Sequence, residues 1–280
     1  MHPLTRREFL GALAAGTAWS ALGRRAGDRI PAVGIQLYTV RALMAAQPER
    51  TLEALAGIGY REVELAGLYG MTAARMRALL DANGLAAPSA HLSLEALRDD
   101  WARTLDDARA LGLRYVVCPW VNEEDRTLDG YSRLAQQFNA IGERARAAGL
   151  QFAFHNHDFV NRPLPDGTVP YDLLLRACDP HLVQMEMDLY WMIAAGGDPT
   201  EYFARWPGRF PMLHVKDRTL SGAMTDVGDG TIDFASILAA AHAAGVKHWF
   251  VEHDEPKDPL ASARRSYAYL SRLESPPTPH

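Results

Sequence analysis

Short apolar runs alternate with longer amphipathic stretches along most of this chain. Eight of the runs have the length and the β-branched and aromatic residues of strands: AVGIQLYTV, REVELAG, APSAHLSL, YVVCPW, FAFHNHDF, LVQMEMDLYW, FPMLHVKD and HWFVEHD. The stretches between them, such as PERTLEALAGIG and DFASILAAAHAAG, carry apolar residues at helical spacing. Several of these end in glycine, as at Gly112 and Gly245, where a left-handed residue ends a helix. The pattern therefore predicts eight β-α units.

Eight β-α units in about 250 residues match the size and order of a (β/α)8 TIM barrel, an α/β fold. An open, doubly wound sheet is the alternative, but it would require a glycine-rich phosphate loop after the first strand. Here the first strand continues into YTVRALM instead. No linker or change in composition divides the chain. We therefore predict a single barrel domain over residues 28–274 and a disordered tail over residues 275–280.

The composition is that of a globular protein with a sizeable core. Of the 280 residues, 48% are hydrophobic and 22% are charged. The formal net charge of −5 argues against nucleic acid as a partner, because binding to phosphates requires clustered lysine and arginine. The two cysteines, Cys118 and Cys178, are predicted to be buried thiols rather than a disulfide. We expect a small molecule as the partner, and a homo-oligomer is one compatible assembly.

The first residues resemble a twin-arginine export signal. The stretch TRREFLGALAAGTAWSALG places Arg6 and Arg7 before an apolar, small-residue segment that is too short to span a bilayer comfortably. An amphipathic N-terminal helix is the alternative interpretation. We assign residues 1–27 to the signal and expect export to the periplasm. No later segment is long and apolar enough for a membrane span.

Polar residues concentrate at the ends of the last four predicted strands. Side chains two positions apart on a strand share a face, which gives four pairs: His155 and His157, Glu186 and Asp188, His214 and Lys216, and Glu252 and Asp254. In a TIM barrel these strand ends face the active site. Buried carboxylates and imidazoles that converge there would repel or lack partners unless a cation held them. One ligand from each strand gives two imidazoles and two carboxylates, a set that suits Mn, Zn, Fe or Co better than Ca.

The same segments resemble the xylose isomerase-like TIM barrels, which are also called sugar phosphate isomerase/epimerase-like proteins. The resemblance rests on GIQLYTVR, GYREVELAG, HNHDF, MDLYW, HVKD and VEHDEP, between about residue 32 and about residue 272. In the family's epimerases a metal ion is held by Glu, Asp, His and Glu from the last four strands. By motif position, the resemblance implies one divalent ion (Mn, Zn, Fe, Co or Mg) bound by His155, Asp188, His214 and Glu252. His155 departs from the family pattern, because the epimerases carry a glutamate there that is both ligand and base.

The resemblance implies chemistry next to a sugar carbonyl. A divalent ion that binds a carbonyl and a neighbouring hydroxyl acidifies the C–H bond between them. Return of the proton gives epimerisation or isomerisation, whereas loss of a β-substituent gives elimination. Two-faced epimerisation needs a base on each side of the carbon, and His155 in place of glutamate weakens that scheme. The chain also resembles inosose dehydratases and lyases of 3-keto-glycosides, which need one base and one acid.

The groups that transfer protons are predicted to be Glu252, His157 and Lys216, and both isomerase or epimerase chemistry and keto-sugar lyase chemistry stay open. Five other residues near strand ends are predicted to contact the substrate: Tyr38, Glu64, His91, Trp120 and Trp191. The carboxyl and imidazole groups would bind hydroxyls or move protons, and the aromatic rings would form walls for a sugar ring. Glu62 and Glu186 lie deeper in their strands, where we expect salt bridges or hydrogen bonds to the metal ligands.

Three classes of function are compatible with these patterns. The first is a metal-dependent enzyme that acts on a sugar or keto-sugar. The second is an exported sugar-binding protein without chemistry, which would have no need to keep Asp188, His214 and Glu252 together. The third is an endonuclease for abasic DNA, which would require about three metal ions, further His ligands and a basic face. The acidic composition disfavours the nuclease, and the retained ligand set favours the enzyme.

Overall fold

Eight parallel strands close into a barrel in the computed structural model, which describes residue 30 and residues 32–273. Each strand pairs with its neighbours in sequence, and the first also pairs with the last, which closes the ring. The strands are β1 (Val33–Gln36), β2 (Glu62–Leu65), β3 (Ala86–His91), β4 (Tyr115–Cys118), β5 (Gln151–His155), β6 (Val183–Asp188), β7 (Met212–Val215) and β8 (His248–Val251). The predicted (β/α)8 TIM barrel is confirmed.

Helices connect the strands and surround the barrel. They are α1 (Arg41–Ala46), α2 (Pro48–Ile58), α3 (Ala73–Ala82), α4 (Leu94–Asp99), α5 (Trp101–Leu111), α6 (Leu128–Ala147), α7 (Asp158–Asn161), α8 (Pro170–Ala177), α9 (Leu189–Ala194), α10 (Pro199–Arg205), α11 (Phe234–Ala244) and α12 (Pro259–Leu270). Short 3-10 helices cover Leu37–Val40 and Glu123–Asp125, and Asp217–Arg218 pairs with Met224–Thr225 in a small hairpin. Gly112 and Gly245 follow α5 and α11 with φ of 74° and 87°, the left-handed conformation predicted for them.

The strands end earlier than the apolar runs suggested. LVQMEMDLYW spans both β6 and the start of α9, because the Asp188 carboxylate accepts a hydrogen bond from the backbone N–H of Trp191 and caps that helix. His157 likewise lies beyond β5, at the N-cap position of α7. The chain therefore turns away from the barrel at its C-terminal end, and the polar side chains of these turns gather there.

Apolar packing fills the rest of the barrel. A cluster made only of strand residues lies inside it: Tyr115, Val117, Ala153, Met212 and Phe250. The alternate residues of the same strands belong to a larger cluster that includes the helices. Near the N-terminal end of the barrel, Nδ1 of His248 lies 2.8 Å from Oε2 of Glu62, a pair of the kind expected for Glu62. The charged side chains of Asp188, Lys216 and Glu252 lie at the opposite end, where β6, β7 and β8 end.

Other predictions fall partly outside the described residues. The assigned signal, residues 1–27, and the tail, residues 275–280, lie beyond them. Within the part of the chain that the structure describes, no helix is long and apolar enough to cross a membrane. Cys118 and Cys178 are free and buried, as predicted, and burial raises the pKa of each thiol to about 12.

Candidate active site

A cleft of about 750 Å³ opens at the C-terminal end of the barrel. Polar side chains from strand ends form its floor: His91, His155, Lys216 and Glu252. Aromatic side chains form its walls: Tyr38, Trp120, Phe159 and Trp191. Tyr38 and Trp120 are 42% and 49% exposed, so their rings are open to a ligand. Most of the predicted substrate contacts therefore line one cleft, and Phe159 is a wall residue that the sequence did not indicate.

The predicted metal ligands lie together at the base of this cleft. Candidate ligand atoms of Asp188, His214 and Glu252 all lie within 4.8 Å of one another. The pairing of β6 with β7 places Asp188 beside His214, and Glu252 directly follows β8. His155, the last residue of β5, approaches them through Nε2, which is 3.9 Å from Oδ2 of Asp188. Adjacent strand ends thus bring Asp188, His214 and Glu252 to one place, and His155 belongs to a neighbouring set of candidate ligand atoms within 4.8 Å of one another, with His91, Glu186 and His214.

The second ring nitrogen of His155 faces a deeper carboxylate. Nδ1 lies 3.1 Å from Oε2 of Glu186, and Nε2 of His91 lies 2.7 Å from the same oxygen. Burial lowers the pKa of His155 well below its ordinary value, and nearby basic groups lower it further. His155 is therefore neutral, the form in which imidazole binds a metal. Burial also opposes the charged form of His91, but Glu64 and Glu186 outweigh it and raise the pKa of His91 to about 9.

His214 also has a carboxylate on each side of its ring. Nδ1 lies 2.8 Å from Oε2 of Glu252, and Nε2 lies 2.6 Å from Oε2 of Glu64. Burial alone would lower the pKa of His214, but the carboxylates of Glu186, Glu252 and Glu64 raise it well above its ordinary value. Glu64 itself is 0% exposed and does not line the cleft. The structure therefore places Glu64 outside the cleft that Tyr38, His91, Trp120 and Trp191 line.

The ammonium group of Lys216 lies among three carboxylates. Nζ is 3.0 Å from Oδ2 of Asp188, 2.8 Å from Oε2 of Glu252 and 2.8 Å from Oδ1 of Asp254. Burial opposes the charge, but these carboxylates raise the pKa of Lys216 well above its ordinary value. Burial dominates at Asp188 and raises its pKa to about 6. At Glu252 burial is outweighed by Lys216 and His214, which lower the pKa.

His157 lines the cleft as a neutral imidazole. Burial, followed by the charge of Lys216, lowers the pKa of His157 to about 3. The ring stacks on Phe159, with centroids 5.7 Å apart, and meets Trp120 edge to face at 5.0 Å. Nδ1 is buried and has no hydrogen-bond partner among the described residues. Aromatic packing therefore holds this imidazole in the lining of the cleft.

Asn156, between the two histidines of HNHD, has a role that the sequence did not indicate. Its Oδ1 accepts a hydrogen bond of 2.9 Å from the backbone N–H of Asp188, and its Nδ2 donates to the backbone carbonyl of Asp188 over 3.3 Å. These bonds continue the pairing of β5 and β6 beyond the last strand residue. Asn156 therefore holds Asp188 beside His155. In the sequence, only its position between two histidines could have pointed to this role.

Arg41 is a second residue whose role was missed. Its guanidinium lies 4.0 Å from the ring centre of Tyr38, and Nη1 donates hydrogen bonds to the backbone carbonyls of Tyr38 and Asp254. These contacts tie the loop after β1 to the loop after β8 at the rim of the cleft. The motif GIQLYTVR contains this arginine, but its partner 213 residues later could not be identified from sequence.

The donor set fits a divalent transition-metal ion. Imidazole nitrogens and carboxylate oxygens are ligands of Zn, Mn, Fe and Co. Oε1 of Glu186 is buried and has no hydrogen-bond partner within residues 32–273. Five carboxylates surround the region: Glu64, Glu186, Asp188, Glu252 and Asp254. They outnumber the charged basic groups beside them, so a bound cation would improve the charge balance.

Comparison with known proteins identifies the family. Residues 52–273 match the xylose isomerase-like TIM barrels. The chain belongs to this family. Its motifs had predicted the same assignment.

Individual relatives extend over nearly the whole barrel. An inosose dehydratase from Lacticaseibacillus casei is 24% identical over an alignment 266 positions long, which includes 80% of this chain and 87% of that protein. A sugar phosphate isomerase/epimerase from Parabacteroides distasonis superposes with a TM-score of 0.76 at 25% identity and covers 86% of this chain and 97% of its own. A family protein from Mycobacterium smegmatis, solved with magnesium, has a TM-score of 0.67 at 15% identity, with coverage of 86% and 96%. At 15% identity, the likeness to the Mycobacterium smegmatis protein shows a shared fold.

Proposed function

We propose that this protein is a divalent-metal-dependent enzyme that removes a proton next to the carbonyl group of a sugar or keto-sugar. The observation that carries the proposal is the meeting of Asp188, His214 and Glu252 at the base of an aromatic-walled cleft, with Glu252 open to that cleft. The inosose dehydratases and sugar phosphate isomerase/epimerases among its relatives support this class of reaction.

In this proposal the ion is held by Nε2 of His155, Nδ1 of His214 and one carboxylate oxygen each from Asp188 and Glu252. When bound, a divalent ion polarises a carbonyl group and acidifies the neighbouring C–H bond. The chain supplies the orientation of the ligands. The pairing of β6 with β7 sets Asp188 against His214, and the hydrogen bonds of Asn156 hold the backbone of Asp188 in place.

Glu252 is the base in this proposal. The other buried carboxylates around the ligands, those of Glu64, Glu186 and Asp188, do not line the cleft, whereas Glu252 does. Lys216 also lines the cleft and is charged, so its N–H groups can donate to an oxygen atom of the substrate. One carboxylate base and one ammonium acid therefore stand side by side.

A single carboxylate base favours elimination over two-sided epimerisation. The position from which the family's epimerases serve the second face carries His155, and an imidazole that binds the metal cannot also accept a proton, so Glu252 is the one carboxylate among the candidate ligands that lines the cleft. In the proposed step, Glu252 accepts the proton from the carbon next to the carbonyl, and the electron pair of that C–H bond forms a C=C bond. The hydroxyl on the adjacent carbon leaves as water with a proton from Lys216, which solvent then restores.

The lining of the cleft supports an uncharged substrate. Besides Glu252, the acidic residues Asp158, Asp254 and Glu255 line it, and among the lining residues Lys216 carries the one lysine or arginine charge. That charge is already paired with carboxylates, so a phosphate group would meet net negative charge. A polyhydroxylated ring without phosphate, packed by its C–H faces on the aromatic walls, suits these surroundings.

Product analysis tests the proposal. Metal-loaded enzyme is incubated in deuterated water with an inosose and, separately, with a 3-keto-glucoside, and the products are followed by proton NMR. We expect an unsaturated or cleaved product, and none from enzyme stripped of metal by a chelator. Recovered sugar that is inverted and labelled at the abstracted carbon, without any unsaturated product, would show two-base epimerisation instead.

We also propose export through the twin-arginine route, and the support is the order of Arg6, Arg7 and the apolar segment that follows.

A further inference from the structure

Two glutamates form a buried acidic layer directly beneath the floor of the cleft. Glu64 and Glu186 are both 0% exposed, and neither lines the cleft. Barrel interiors are normally filled by branched aliphatic side chains. A buried carboxylate costs several kcal/mol unless hydrogen bonds and opposite charge compensate it. Two carboxylates at this depth therefore need a reason other than packing.

Glu186 contacts the inner nitrogen of one candidate ligand. Its Oε2 lies 3.1 Å from Nδ1 of His155, while Nε2 of the same ring points toward Oδ2 of Asp188 at 3.9 Å. Because a carboxylate is an acceptor, the proton of neutral His155 lies on Nδ1. Nε2 is then left with a free lone pair on the side of the candidate ligands.

Glu64 has the matching relation to the other histidine, with the two nitrogens exchanged. Its Oε2 lies 2.6 Å from Nε2 of His214, while Nδ1 of that ring lies 2.8 Å from Oε2 of Glu252. A proton held on Nε2 leaves Nδ1 as the atom that can bind an ion. Nε2 of His214 also lies 3.2 Å from Oε2 of Glu186. Each histidine therefore has one nitrogen on the inner carboxylates and the other nearest a candidate ligand carboxylate.

We propose that Glu64 and Glu186 are positioning residues that fix opposite tautomers of the two metal-binding histidines, so that His155 binds through Nε2 and His214 binds through Nδ1. This inference rests on the metal ion of the proposed function. Hydrogen bonds from the second nitrogen to a carboxylate fix the ring and raise its basicity, and their loss lowers metal affinity by about 10- to 100-fold.

Both glutamates are themselves held in place. Glu64 accepts hydrogen bonds from Nε2 of Gln36, over 2.8 Å, and from the hydroxyl of Ser89. Glu186 is held by Nε2 of His91, 2.7 Å from its Oε2. These contacts hold each carboxylate beside its histidine, as a positioning role requires.

Affinity measurements on matched variants test the inference. Glu64→Gln and Glu186→Gln keep the shape of the side chain but remove its charge, and Glu62→Gln is the control on the same strand as Glu64, at the end of the barrel that holds His248. Zinc affinity, measured by competition with a chelator, should fall at least about tenfold in the first two variants and stay unchanged in the control. Thermal unfolding of each variant without metal reports whether it is folded.

A crystal structure of the zinc-loaded wild-type protein gives a readout that needs no variant. We expect the ion about 2.0–2.1 Å from Nε2 of His155 and from Nδ1 of His214. An ion bound to Glu186, or equal affinities in all three variants, would overturn the positioning role while leaving a metal enzyme. A wild-type protein that binds no stoichiometric metal would overturn the proposed function and this inference together.

Discussion

Replacement of Lys216 by Met tests whether an internal ammonium competes with the metal ion for the same carboxylates. The substitution keeps an unbranched side chain of similar length and removes the charge that lies between Asp188, Glu252 and Asp254. Without metal, these carboxylates would be left buried or close together without a cation. Loss of one partner of a buried ion pair typically costs about 3–5 kcal/mol of unfolding free energy.

The same substitution should strengthen metal binding, although it destabilises the metal-free protein. An ion held about 2 Å from Oδ2 of Asp188 or Oε2 of Glu252 would lie within roughly 5 Å of Nζ of Lys216, since Nζ is 3.0 and 2.8 Å from those oxygens. At an effective dielectric constant of about 20, the repulsion between a divalent ion and an ammonium at that separation is about 7 kcal/mol. Movement of the flexible lysine stem would relieve much of it, so we expect metal affinity in Lys216→Met to rise at least about tenfold, or about 1.4 kcal/mol.

The assay combines denaturant unfolding with titration calorimetry. Denaturant unfolding with a chelator present gives the free energy of unfolding that is lost when the carboxylates have no cation beside them. Unfolding with excess Zn or Mn shows how much of that free energy the bound ion restores. Lys247→Met is the control, because Lys247 is exposed and its loss changes the net charge equally. A Lys216→Met protein that is as stable as the control without metal, or that binds metal more weakly than the wild-type protein, would show that Lys216 does not compete with the ion.

Three further results are expected. Asp188→Ala should lose stoichiometric metal by elemental analysis yet keep the circular dichroism of the wild-type protein, because a ligand at a strand end adds little to the core; full metal content would exclude Asp188 as a ligand. Wild-type metal affinity should fall as the pH drops below about 6, since the buried Asp188 carboxyl has a pKa of about 6 and is then protonated; a flat profile down to about pH 5 would contradict this. The double variant Arg6→Lys, Arg7→Lys should remain in the cytoplasm on cell fractionation, and unchanged export would reject the signal.

The fold could be predicted because its signals are local. Apolar runs that alternate with amphipathic stretches identified all eight strands, and glycines such as Gly112 and Gly245 ended helices where a left-handed residue was expected. The runs predicted strand ends less well, because apolar residues continue from β6 into α9. Only the cap formed by Asp188 on Trp191 separates the two elements there.

The depth of a side chain inside the barrel could not be predicted. Period-two alternation shows that Glu62 and Glu64 share a face, but strand tilt and stagger decide which layer each one reaches. Glu64 meets His214, 150 residues later, whereas Glu62 meets His248 near the other end of the barrel. The contacts between Lys216 and its three carboxylates depend in the same way on how distant strands pair. The sequence therefore indicated which residues belong to the site but not which of them are in contact.

In the proposed reaction, Glu252 removes a proton from the carbon next to the carbonyl of a sugar or keto-sugar. The most direct test follows that proton by NMR in deuterated water, with wild-type enzyme and Glu252→Gln loaded to the same metal content. We expect the wild-type enzyme to consume the proton signal and Glu252→Gln to do so at least about a hundredfold more slowly. Equal rates in the two proteins, or no loss of the signal from any polyhydroxy ketone with the wild-type enzyme, would contradict it.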